Sequence, residues 1–105
     1  MKSENIVKGV EKREFIDKVL ENNPHADIML ISKAYDFALA AHAGQKRFSG
    51  DDYFEHVLNV AYVLAEMHMD SETIAAAFLH DVLEDTKATK EQLQREFGKP
   101  VTSIV

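Results

Sequence analysis

Cysteine is absent, so no disulfide framework can form and no thiolate can bind a metal; any metal ligand must come from His, Asp or Glu. A reducing compartment is compatible with this composition. Helix breakers are scarce, with Gly 4 and Pro 2, which leans an otherwise ordinary globular composition toward helix. Long apolar runs are missing too. None reaches the roughly 18 residues of a membrane span, and Met1 to Arg13 alternates charges where a secretory signal would carry an apolar segment. The expected location is cytoplasmic, with no membrane partner. Positive charge is in deficit: Lys+Arg 12 against Asp+Glu 18 gives a net charge of -6. That balance argues against a nucleic-acid binder, whose affinity is built largely from cations neutralising phosphates. An anionic small molecule is still admissible where a metal and local basic residues receive it, and Lys46-Arg47 is the only such pair near other polar candidates.

What is present fits one small domain over residues 1–105, with 46% hydrophobic and 29% charged residues, a balance that does not favour disorder. Ile6, Val7, Val10, Phe15, Ile16, Val19 and Leu20 fall at loosely helical spacing, predicting an amphipathic helix over 3–21 with an irregular stripe near Gly9. Asn22-Asn23-Pro24 ends it, and Pro24 is expected in the first turn of a second helix, with Asp27 near that N-terminus. Ile28, Ile31, Tyr35, Ala38 and His42 carry this helix toward Gly44, a C-terminal stop. A third helix is expected over 53–67, with Val57, Val60, Ala61 and Leu64 inward. Asp70 or Ser71 caps a fourth, running through Leu83 or a little beyond. Its Ile74, Ala75, Ala77, Phe78 and Leu79 are apolar almost all round, which makes it central. Thr89 to Gln92 fits a capping box for a short helix ending at Gly98, and Pro100 to Val105 begins another. No strand alternation or internal repeat appears, so the expected fold is an all-α bundle of about five to six helices.

Chemistry concentrates at Phe78-Leu79-His80-Asp81-Val82-Leu83-Glu84-Asp85-Thr86. On a helix His80 and Glu84 lie four apart, Asp81 and Glu84 three apart, and Asp81 and Asp85 four apart, so each pair shares a face. Carboxylates stacked this way repel, and an acidic C-terminal turn opposes the macrodipole, which favours cations there. A metal ion would neutralise the cluster, with His80 as its first nitrogen ligand. His56, His80 and Asp81 are the candidate ligands, a set that suits Mn, Fe, Zn or similar ions. Neighbouring helical residues project about 100° apart, so His80 and Asp81 reach one ion only if it lies beside the helix between their directions. Glu84 and Asp85 are the candidate acid/base groups for a metal-activated water. The plainer reading makes His80 a polar interruption of a core helix and the carboxylates its solvated end. An isolated His-Asp pair would favour that reading; this pair is not isolated.

Gly44 to Asp52 is the one long polar loop, and its Lys46, Arg47 and Ser49 supply donors suited to phosphate or a planar base. A solvated surface loop accounts for the same composition equally well. His25 and His68 have no companions and are expected at the surface, whereas His42 shares the apolar face of the second helix as a core-edge histidine.

Ala38 to Val105 resembles the first half of the metal-dependent HD hydrolase domain of the RelA/SpoT alarmone enzymes, including the short stand-alone hydrolases. Three ordered blocks carry the likeness: Ala41-His42-Ala43-Gly44-Gln45-Lys46-Arg47-Phe48-Ser49-Gly50, then Tyr53-Phe54-Glu55-His56 with Val60-Ala61, then Thr73 to Thr86. Phe97-Gly98 and the Val101 to Val105 tail continue it. The resemblance implies a helical bundle holding one divalent ion, usually Mn2+, that removes the 3′-pyrophosphate from the guanine nucleotides ppGpp and pppGpp. Carried over, it makes His56, His80 and Asp81 metal ligands. Glu84 and Asp85 become the pair that orients or activates the attacking water, and Arg47 and Ser49 become contacts to the nucleotide; Lys46 beside them is a candidate substrate contact from its place in the loop. The chain departs from the family at Val57 and Asp52, where Pro is common, and at Phe48, where a basic residue is frequent.

The family completes its metal site with an aspartate further downstream, so a partial HD hydrolase domain is expected, for instance the N-terminal piece of a bifunctional synthetase/hydrolase. The partly apolar tail looks like the start of an element. That predicts either a fragment or an apolar end packed against another copy, a homo-oligomer. Two other readings stay open: an HD phosphohydrolase for another nucleotide, and a non-catalytic module that binds nucleotide or self-associates.

Overall fold

A computed structural model describes residues 2–47 and 49–105, with side-chain surroundings for 11–47, 49–83 and 86–105. Among the described residues five helices follow in order: α1 (Lys2–Asn22), α2 (Ile28–Ala41), α3 (Tyr53–Glu66), α4 (Ser71–Asp85) and α5 (Lys90–Ile104). Among the described residues there is no strand, only an isolated bridge between Lys46 and Asp52. The expected all-α bundle is borne out. No helix of the described residues is long and apolar enough to cross a membrane.

Side-chain caps begin three of the helices. Asp27 accepts from the Leu30 amide at 3.1 Å, Asp70 from Thr73 at 2.7 Å and Thr89 from Gln92 at 3.1 Å, each satisfying an amide the helix itself leaves open. Pro24 does not enter α2 as expected. It sits in a turn closed by the Ala26 amide on Asn23 O (3.1 Å) and the His25 amide on Asn23 Oδ1 (3.1 Å), so the helix starts only after Asp27. Gly98 divides α5 into two helical segments, with φ +83° and ψ 167°, and Pro100 opens the second, where its missing N–H costs nothing. The expected break at Gly98 is thus present as a kink.

The core is built around α4, which packs on α2, α3 and α5, while α1 lies against α3 and α2. Phe78 stands at its centre. Its ring meets Phe15 edge-on at 5.4 Å, Tyr35 at 5.4 Å and Phe54 in a stack at 6.2 Å. Phe37 of α2 meets Phe97 of α5 edge-on at 5.5 Å. Two expected core positions fail: Val60 and Leu20 are exposed. In α3 the inward stripe is Phe54, Val57, Leu58, Ala61 and Ala65, which turns Val60, Val63 and Met67 to the outside. The expected stripe at Ile6, Val7 and Val10 lies outside the described side chains.

Candidate metal and nucleotide site

The first turn of α3 and the last turns of α4 come together because Phe54 and Phe78 stack between them. His56, His80 and Asp81 line one cavity of about 450 Å³, walled by Val57, Ala76 and Ala77. His56 is half-buried, the Asp81 side chain is 24% exposed and that of His80 66%. Both Asp81 oxygens are engaged: Oδ2 accepts from the Tyr53 hydroxyl at 2.9 Å, and Oδ1 lies 3.1 Å from His80 Nδ1. With His80 turned onto its neighbour, no three His, Asp or Glu side chains among the described residues gather on one point as an ion would require. The donor set itself fits a borderline divalent cation, since two imidazoles and a carboxylate from two helices face one cavity. His80 is exposed enough to turn.

Lys46, Arg47 and Ser49 line a second cavity of about 540 Å³ together with Tyr53. Their loop is held by its own backbone, the Arg47 amide donating to Asp51 O (2.9 Å) and the Gly50 amide to Arg47 O (2.8 Å). Lys46 Nζ lies 2.6 Å from Asp52 Oδ1, and the Ser49 hydroxyl donates to Asp51 at 3.1 Å. Arg47 and Ser49 are exposed. A third cavity of about 650 Å³ shares Lys46 and carries four carboxylates, Glu11, Asp36, Asp52 and Glu55, among otherwise largely apolar walls. Tyr35 also lines it, and burial first, then the Glu11 carboxylate, pushes its phenol far above the ordinary range, so it stays neutral.

Two residues beside the site were given no site role from the sequence, where His42 was placed at the core edge. Tyr53 lines the loop cavity and reaches Asp81 with its hydroxyl, so it touches both candidate regions. His42 stacks on the Tyr53 ring at 4.9 Å and is only 2% exposed, deeper than a core-edge residue. The available signal for Tyr53 was its place three residues before His56, on the same face of α3. Glu84 and Asp85 occupy the last turn of α4, one turn beyond His80 and Asp81; their side chains, like Phe48, lie outside the described part. His25 and His68 are exposed, as expected, with His68 Nδ1 3.0 Å from Asn22 O.

Fold and sequence define the class together: residues 34–105 match the HD domain family, and the chain belongs to it. It is 44% identical over 92 residues to the GTP pyrophosphokinase rsh of Brucella ovis. It is 47% identical over 97 residues to the guanosine-3′,5′-bis(diphosphate) 3′-pyrophosphohydrolase of Aquifex aeolicus, and 48% over 82 residues to the bifunctional (p)ppGpp synthase/hydrolase SpoT of Escherichia coli. The likeness to RelA/SpoT enzymes is borne out. These matches take in 88%, 91% and 78% of this chain but only 12%, 14% and 12% of the relatives' own length.

Proposed function

We propose that this chain belongs to the hydrolase portion of a metal-dependent enzyme that cleaves the 3′-pyrophosphate from ppGpp or pppGpp. His56, His80 and Asp81 are its metal ligands and Mn2+ is the ion. When bound, the ion would supply Lewis acidity, which lowers the pKa of water so that it can lose a proton and attack near neutral pH. Arg47 stacks on or forks to the guanine nucleotide, Ser49 and Lys46 add donors, and the cavity they share with Tyr53 receives it. Glu84 or Asp85 orients the attacking water and takes its proton. The water oxygen bonds to the phosphorus attached to the 3′ oxygen, the bond from that phosphorus to the 3′ oxygen breaks, the 3′ oxygen takes up a proton to become a hydroxyl, and pyrophosphate leaves the guanosine 5′-phosphates. The observation that carries this reading is the convergence of His56, His80 and Asp81 on one cavity. The names of the relatives support the substrate.

The test is Mn2+-dependent release of pyrophosphate from ppGpp, lost in Asp81→Ala. A protein that binds Mn2+ yet leaves ppGpp intact while hydrolysing another nucleotide would refute the substrate. A second reading, self-association, is favoured by exposed Val60, Val63 and Ile104, of which Val60 and Ile104 line the same cavity as His56. A monomeric mass in solution excludes it.

A further inference from the structure

We infer that Tyr53 and His42 are positioning residues that set the Asp81 carboxylate for a divalent cation, an inference that rests on the metal site proposed above. A carboxylate on a short side chain binds metal well only when its rotamer is held, and hydrogen bonds from neighbouring groups do the holding. Here the Tyr53 hydroxyl holds Oδ2 at 2.9 Å, leaving Oδ1 on the side of His80. Tyr53 and Asp81 are 28 residues apart, so the contact joins α3 to α4 at the site itself.

The Tyr53 ring is fixed in turn. His42 stacks on it at 4.9 Å with the planes 25° apart, and the His56 ring meets it edge-on at 5.9 Å. Backbone bonds tie the same residues together: the Gln45 amide donates to His42 O (2.9 Å) and the Tyr53 amide to Gln45 O (3.0 Å). The Gln45 side-chain oxygen also meets His42 Nδ1. His42 Nε2 is buried with no hydrogen-bond partner. Burying an unpaired polar nitrogen costs stability where an apolar ring would fill the space without that loss, so packing alone does not account for the imidazole. The contact of Nδ1 with Gln45, which a phenyl ring cannot make, accounts for it: the end of α2, through Gln45, fixes the ring that stacks on Tyr53, whose hydroxyl meets Asp81.

The experiment measures the Mn2+ dissociation constant from the electron paramagnetic resonance signal of free Mn2+, with no nucleotide present. Tyr53→Phe keeps the ring and removes the hydroxyl, and it should weaken Mn2+ binding about 10–100-fold, the usual effect of removing a group that orients a ligand. His42→Ala should weaken it in the same direction, and His42→Phe, which restores a flat wall, should recover part of the loss. Val19→Ala serves as the reference for lost packing. It sits near the opposite end of α3, where Lys18 pairs with Glu66 at 3.6 Å, and should leave the affinity unchanged. Unchanged affinity in Tyr53→Phe beside a binding wild-type protein overturns the inference alone, and a raised KM for ppGpp in that variant would then make Tyr53 a nucleotide contact. A wild-type protein that binds no Mn2+ overturns the metal site itself and the inference with it.

Discussion

The Phe78 ring lies stacked on Phe54 at 6.2 Å, with the planes 18° apart, and this contact joins the helix of His80 and Asp81 to that of His56. Phe78 is fully buried. Phe78→Ala therefore leaves a cavity at the helix junction and should cost about 3–5 kcal/mol, read from the denaturant midpoint. A loss below about 1 kcal/mol would show that the junction does not depend on this ring.

Asp70 caps α4, and its pKa is lowered from the ordinary 3.8, first by the hydrogen bond with the Thr73 side chain and then by that with the Thr73 amide. A lowered folded-state pKa means stability that is present above the unfolded value and is lost as pH falls through the folded one. Asp70→Ala should cost about 1 kcal/mol at neutral pH. Asp70→Asn keeps a capping oxygen and should differ little from wild type there, while losing this share of the acid sensitivity. Thermal melts of the three proteins between pH 7 and pH 2 would check both points.

Gly98 holds φ +83° and ψ 167°, a region that side chains with a Cβ avoid. A Cβ there would meet only Pro100 Cδ, at 3.7 Å, an ordinary contact. The cost of Gly98→Ala is thus conformational, about 1–3 kcal/mol in unfolding free energy. Equal stability of the variant would refute the kink as a strained position.

His80 is largely exposed, so His80→Ala should change stability by no more than about 0.5 kcal/mol. The same variant should lose Mn2+-dependent pyrophosphate release. Separation of the two effects, stability intact and turnover gone, marks a functional histidine. A variant with full activity would remove His80 from the proposed ligand set.

Much of the fold was legible because its signals are local. Asp70 and Thr89 act as caps where the residue types said they would, and Gly98 with Pro100 interrupts α5 at the expected place. Pro24 misled because its fixed φ suits a turn as well as a helix start, and Asn23 closes that turn. Val60 misled because spacing defines a stripe but not the direction in which the neighbours rotate it.

Sequence alone limited metal ligands to His, Asp and Glu, set the helical class and marked His56, His80, Asp81 and the Lys46 to Ser49 loop, since composition, caps and helical spacing act over a few residues. Only the tertiary structure brought His56 to the same cavity as His80 and Asp81, and put Tyr53 between that cavity's aspartate and the loop. Those contacts join residues far apart in the chain. They are decided by how Phe54, Phe78, Tyr35 and Phe15 pack one helix against another, which no short-range pattern encodes.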